Sequence, residues 1–146
     1  MNVKYLTCRR ILLVCSVVFV IVAIVLISGV IPSVKADNFP GATPEKAVSA
    51  FWVNVGLNLL LAVTILFIAV KSKERQWISK SGLIITGIII LLLGLALLDA
   101  ASAYLKHGPS MQSASILLFI CSASDLLAGI MLIITSIICP RKPESA

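Results

Sequence analysis

The 146-residue chain is 60% hydrophobic and 12% charged, and its mean hydropathy is +1.11. These values lie well outside the range of soluble globular domains. The formal net charge is +6, which on its own would suggest a partner such as nucleic acid. Little of the chain lies outside its long apolar segments, so the sequence leaves no room for a soluble domain with an activity of its own.

Four long apolar runs occupy most of the chain, at residues 11–31, 47–70, 82–104 and 113–139. At 1.5 Å per residue, a helix of about twenty residues crosses a hydrocarbon core about 30 Å thick. Only helices and closed barrels satisfy their backbone polar groups in lipid. The runs lack the alternating apolar and polar residues of barrel strands. Because the connections between them are short, the sequence predicts an all-α membrane protein, a single antiparallel four-helix transmembrane bundle.

The first run also has features of a secretory signal. A basic start precedes it, and small residues at Val34 and Ala36 would suit cleavage before Asp37. Signal sequences usually have an apolar region of about 7–15 residues, and the run at 11–31 is longer. Its length favours a retained membrane anchor, whereas cleavage would leave three spans and a mature N-terminus outside the cytoplasm.

The basic residues alternate between the two sides of the predicted bundle. Those before the first run, between the second and third, and after the fourth are Lys4, Arg9, Arg10, Lys71, Lys73, Arg75, Lys80, Arg141 and Lys142. The two connections on the other side, called here the outer side, contain only Lys35, Lys46 and Lys106. Because cytoplasmic segments collect Lys and Arg, we expect both termini to be cytoplasmic. We also expect the basic residues to contact anionic lipid headgroups rather than nucleic acid.

The four cysteines predict no disulfide framework. Cys15 and Cys121 lie inside predicted spans, and neither outer connection contains a cysteine that an oxidising compartment could cross-link. Cys8 and Cys139 lie next to the membrane on the predicted cytoplasmic side, where they could be palmitoylated or remain unmodified. The single histidine, His107, has no partner at metal-ligand spacing, so we expect neither a metal site nor a cofactor.

Four polar residues interrupt the apolar spans, and counting at 1.5 Å per residue groups them by depth. Asp125 and Asn58 fall about 18 and 16 Å below the outer ends of their runs, and Asp99 and Asn54 about 8 and 10 Å below. The sequence therefore predicts two polar layers, Asn58 with Asp125 at mid-membrane and Asn54 with Asp99 nearer the outside. No Lys, Arg or His lies within the four runs, so we expect Asp125 to be protonated and to bond with an Asn amide.

Small residues follow a regular spacing in the last two spans. Gly87, Gly94 and Ala101 are seven apart, and Cys121 and Gly129 lie four residues on either side of Asp125. Close approach of helix backbones is a main source of helix association in lipid. Both stripes are therefore predicted to be helix-packing faces, and packing is also the plainest explanation for the polar residues among them.

The same residues leave more than one function open. Enzyme chemistry is disfavoured, because Asp99 and Asp125 differ in depth by about 10 Å and no base activates the span serines. Transport remains an alternative, since pumps and channels keep carboxylates at mid-membrane, with Asp125 and Asn58 at its centre. Two features argue against transport: the spans contain no chain of titratable residues, and none shows the interruption that is typical of the discontinuous helices of transporters.

The sequence favours a non-enzymatic membrane organiser, scaffold or accessory subunit, whose partners are other transmembrane helices or further copies of itself. A bacterial protein that inserts into a host membrane is a third alternative. The outline of four spans with both tails inside resembles MARVEL-type, claudin-type and tetraspanin-type proteins. The loop cysteine pairs of claudins and tetraspanins are missing, and Asp99 near the outer end of the third span is the one MARVEL-like residue.

Overall fold

The computed structural model describes residues 3–36, 44–75, 78, 80–107 and 112–139. These residues form α1 (Val3–Val25), a π-helical turn (Leu26–Val30), α2 (Ile31–Ala36), α3 (Pro44–Arg75), α4 (Lys80–His107) and α5 (Gln112–Ile138). Four stretches are long and apolar enough to cross a membrane, namely Val3–Lys35, Val48–Lys73, Lys80–Lys106 and Gln112–Ile138. The predicted all-α, four-helix membrane fold is confirmed, and the chain is an integral multi-pass membrane protein.

The first span is longer than the apolar run predicts, because the helix continues through Pro32 to Ala36. A proline inside an α-helix clashes with the carbonyl group four residues earlier, here that of Ser28. The π-helical turn (Leu26–Val30) contains this carbonyl, and the Ile31 N–H donates to the Leu26 carbonyl oxygen five residues back. The wider turn accommodates the proline, so the span does not end at residue 31. Asp37, the alternative N-terminus, lies outside the described residues.

Contacts at the two ends of the bundle show that successive spans are antiparallel. At one end, called the tail end, the hydroxyl oxygens of Tyr5 in α1 and Ser72 in α3 are 3.1 Å apart and share a hydrogen bond. At the opposite end, called the far end, the rings of Phe51 in α3 and Tyr104 in α4 are 6.1 Å apart. The start of α1 therefore meets the end of α3, and the start of α3 meets the end of α4.

The helices pack in the order α3, α1, α5 and α4. The most extensive contact joins α4 to α5, followed by those of α1 with α3 and with α5. The helices at the two ends of this order, α3 and α4, touch only sparingly. The bundle is thus closely packed on three sides and loosely closed between α3 and α4.

Glycines explain why α4 and α5 approach so closely. A Cβ atom on Gly87 would lie 2.9 Å from Ile133 and 3.1 Å from the carbonyl oxygen of Gly129. A Cβ on Gly129 would in turn lie 2.8 Å from both Ile90 and Leu91. Real Cβ atoms keep larger distances, so this contact depends on the missing side chains.

Candidate functional site

A polar layer crosses the interior of the bundle between two hydrophobic clusters. One cluster fills the tail-end half, from Tyr5 to Phe19 on α1 and from Leu61 onward on α3. The other fills the far-end half, with Val55 on α3 as its innermost member there. Between them lie three buried polar side chains that we call the polar layer: Asn58, Ser122 and Asp125. Asp125 is also the midpoint of the span Gln112–Ile138, as its depth in the sequence predicts.

The polar layer contains more hydrogen-bond acceptors than donors. Asn58 donates its Nδ2 protons to its own helix, to the Asn54 carbonyl oxygen at 3.0 Å and to Asn54 Oδ1 at 2.7 Å. The Asn58 side chain also faces the Asp125 carboxyl group. Nevertheless Asn58 Oδ1 and both carboxyl oxygens of Asp125 are buried without a hydrogen-bond partner of good geometry. Three buried oxygens of the layer therefore lack a well-formed hydrogen bond.

The second predicted layer does not form. Asn54 is buried and bonds to Asn58, one turn along the same helix. Asp99 lies on the exposed surface of α4, outside the bundle interior. The prediction that Asp99 pairs with Asn54 is wrong, because equal depth does not determine which face of a helix a residue occupies.

Serine hydroxyl groups form the hydrogen bonds that connect the helices. Ser122 donates to the Gly94 carbonyl oxygen at 2.7 Å, and Ser115 donates to the Ala101 carbonyl oxygen at 2.9 Å, both from α5 to α4. Ser16 donates to the Ala62 carbonyl oxygen, from α1 to α3, at 3.0 Å. These bonds occur where a small residue on the partner helix leaves its carbonyl accessible. The sequence contained that signal, since Ser122 shares the face of α5 that carries Asp125 and Gly129.

The small-residue stripes face their neighbours. Gly94 lies opposite Leu126 and the Cβ of Asp125, at 3.0 and 3.3 Å from where its own Cβ would be. Ala101 and Cys121 are buried in the far-end cluster. Gly87, Gly94 and Gly129 therefore pack α4 against α5, and Ala101 and Cys121 lie in the interior beside them.

Cys8 and Cys139 form a disulfide, which corrects the prediction that the cysteines are not cross-linked. Their Cα atoms are 6.0 Å apart, within the range of disulfides in proteins. An even number of spans brings both ends of the chain to the same side, where Cys8 and Cys139 can meet. Cys15 and Cys121 remain free and buried. A disulfide has no free thiol, so palmitoylation of Cys8 or Cys139 would require its reduction.

The loosely closed side of the bundle contains a cavity of about 210 Å³. We call this side of the bundle the open side. The cavity is lined by Ala50, Phe51, Asn54, Ala96, Leu97, Ala100 and Tyr104. Most of these side chains are small or apolar, and Asn54 brings one amide to the cavity wall. A cavity of about 230 Å³ lies on the other side of the bundle, beside Cys8 between α1 and α5, and its lining is mainly apolar.

The fold and these features define an integral multi-pass membrane protein with a small four-helix bundle. Among the described residues, no three side chains of metal-binding type lie close enough together to hold a metal ion. Comparison of the chain with known protein families, with curated proteins and with solved structures found no match.

Proposed function

We propose that the protein is a non-enzymatic membrane organiser or accessory subunit that acts through contacts between transmembrane helices. The observation that carries this proposal is the open side, where α3 and α4 leave a cavity between them. The other neighbouring helices of the bundle touch more extensively, although a cavity also lies between α1 and α5 at the tail end. A bundle with one unfinished side offers a surface to a further helix.

The composition of the open side suits a helix better than a small polar substrate. Ala50 and Ala96 are exposed and present only methyl groups, so another backbone could approach closely. Asn54 adds an amide, and polar side chains in lipid form hydrogen bonds across helices. Tail-end basic residues such as Arg10 and Lys73 are exposed and would contact anionic headgroups beside such an assembly.

The polar layer has a structural role in this proposal. If Asp125 carries a proton, its hydroxyl group supplies a further donor to the layer, and the unpartnered Asn58 Oδ1 could accept from it. Since the span residues near Asp125 include no cation, the neutral form also avoids a buried unpaired charge. The layer would then hold α3 and α5 in register inside an otherwise apolar core.

We further propose that both termini are cytoplasmic, because the basic residues concentrate at the tail end. Thiols in the cytosol are kept reduced, so in that orientation the Cys8–Cys139 bond would form only under oxidising conditions. The reduced thiols would then be available for palmitoylation at the membrane surface. An extracytoplasmic tail end would instead keep the disulfide permanently.

Photo-crosslinking in native membranes tests the organiser proposal. A photoreactive amino acid at Ala96 lies on the open side, and one at Val17 lies on the exposed surface of α1 as a matched control. We expect discrete protein adducts from position 96 and mainly lipid adducts from position 17. Adducts with lipid alone at both positions would contradict the proposal.

A small channel or transporter component is the second candidate function. The unpartnered oxygens of Asn58 and Asp125 favour it, because a proton or a cation could also satisfy them. This candidate requires a titrating or charged group at Asp125, whereas the structural role requires only a neutral hydrogen-bonding group. Asp125→Asn therefore separates the two functions.

A further inference from the structure

Asp99 is an exposed acid at a depth where hydrocarbon, not water, surrounds the protein. The span Lys80–Lys106 has its midpoint at Leu93, and Asp99 follows six residues later. At 1.5 Å per residue this is about 9 Å from the midpoint, inside the half-thickness of a core about 30 Å thick. An exposed carboxyl group there is unfavourable unless it meets a partner.

Among the described residues of α3 and α5, none supplies that partner. Asp99 lies on the outer surface of α4, whereas the polar side chains of α3 and α5 at similar depths point inward. Two small residues on that surface, Ala96 and Ala103, are exposed about one turn before and after Asp99, beside the larger Leu95. This surface continues into the open side through Ala96. The acid is therefore at the edge of the surface to which the proposed function assigns a partner.

We infer that α4 docks a transmembrane helix of another protein that carries a lysine or arginine at the depth of Asp99. Ionisable groups in membranes are generally paired, and a basic side chain on the docked helix would pair with this carboxylate. Ala96 and Ala103 would let the two backbones approach closely around the ion pair. This inference rests on the proposed function and names the class of its partner.

A second copy of this chain does not meet the requirement. The runs at 11–31, 47–70, 82–104 and 113–139 contain no Lys, Arg or His. Symmetric pairing of two α4 helices through this surface would instead bring two carboxylates together, which is repulsive. At the depth of Asp99, the charge complement is therefore assigned to a different chain.

The test measures association of the full-length protein, in liposomes, with designed single-span helices of leucine and alanine. One helix carries a lysine about 9 Å from its midpoint, one a leucine at that position, and one a glutamate. Fluorescence energy transfer between labelled protein and labelled helix reports binding. We expect the lysine helix to bind at least about tenfold more tightly than the leucine and glutamate helices, which corresponds to about 1.4 kcal/mol.

Substitutions of Asp99 decide whether the carboxylate causes the preference. Asp99→Asn keeps the shape but removes the charge, and it should abolish the preference for lysine. Asp99→Lys should reverse it, so that the glutamate helix binds best. Since Asp99 is exposed, neither change disturbs the interior, and helical content measured by circular dichroism checks this.

Equal binding of the three helices to the wild type, or a lysine preference that survives Asp99→Asn, would overturn the inference. Its failure is distinct from failure of the proposed function. Protein adducts at position 96 without a lysine preference would leave the organiser role standing and remove only the basic partner. A lysine preference that depends on Asp99, without adducts at position 96 in native membranes, would support the docking chemistry and contradict the organiser role.

Discussion

The contact between α4 and α5 makes a quantitative prediction for Gly87→Ala. The new methyl group would lie 2.9 Å from Ile133 and 3.1 Å from the carbonyl oxygen of Gly129. The side chain of Ile133 can rotate away, but the backbone carbonyl cannot move without shifting α5. Inserting one methyl group into a tightly packed interior typically costs about 1–3 kcal/mol. We expect Gly87→Ala to lower the free energy of unfolding by this amount.

Gly56→Ala is the matched control, because apart from its chain neighbours and its own helix backbone nothing lies within 4 Å of the position where its methyl group would be. There the change should leave stability unaltered or raise it by up to about 1 kcal/mol, since alanine favours helix more than glycine does. Reversible unfolding in mixed micelles of mild detergent and dodecyl sulfate measures both free energies. Equal changes for the two variants would refute the idea that missing side chains determine the packing of α4 on α5.

Three further predictions follow from the described contacts. Ser122→Ala removes the bond to the α4 backbone and should cost about 0.6–1.7 kcal/mol in the same unfolding assay, whereas Ser124→Ala, whose bond stays within α5, should cost less. To test the orientation, Cys8 and Cys139 are replaced by serine and a single cysteine is introduced at exposed Lys35 or Lys73. An impermeant maleimide added to intact cells should label position 35 but not position 73. Labelling of position 73 would place the tail end outside the cytoplasm. The intact mass of the mature protein should correspond to a chain that retains the first span. A mass that corresponds to a new N-terminus at Asp37 would show that this span is a cleaved signal.

The sequence was sufficient to predict the class of fold, because chain length and apolarity determine which segments can cross lipid. It was also sufficient to place Asp125 and Asn58 near the middle of their spans and to identify Gly87 and Gly129 as packing residues, since counting residues and helical periodicity carry that information. The extension of the first span beyond residue 31 was missed, because a π-helical turn is a local adjustment to Pro32 that apolarity does not reveal.

Features that depend on how the helices are arranged could not be predicted from the sequence. Depth alone placed Asp99 beside Asn54, but the rotation of α4 about its axis directs Asp99 outward. The pairing of Cys8 with Cys139 depends on α1 and α5 being neighbours, which the spans do not specify. The open side between α3 and α4 likewise follows from the packing order of the four helices.

Ion flux through the reconstituted protein is the most direct test of whether the polar layer holds the bundle together or conducts. Proton and monovalent-cation flux would be recorded for liposomes containing the wild type, Asp125→Asn or Asp125→Leu. We expect no flux above that of empty liposomes from any of them, with stability retained in Asp125→Asn and lowered by about 0.6–2 kcal/mol in Asp125→Leu. A wild-type flux that disappears in Asp125→Asn would contradict the structural role and make the protein a channel or transporter component.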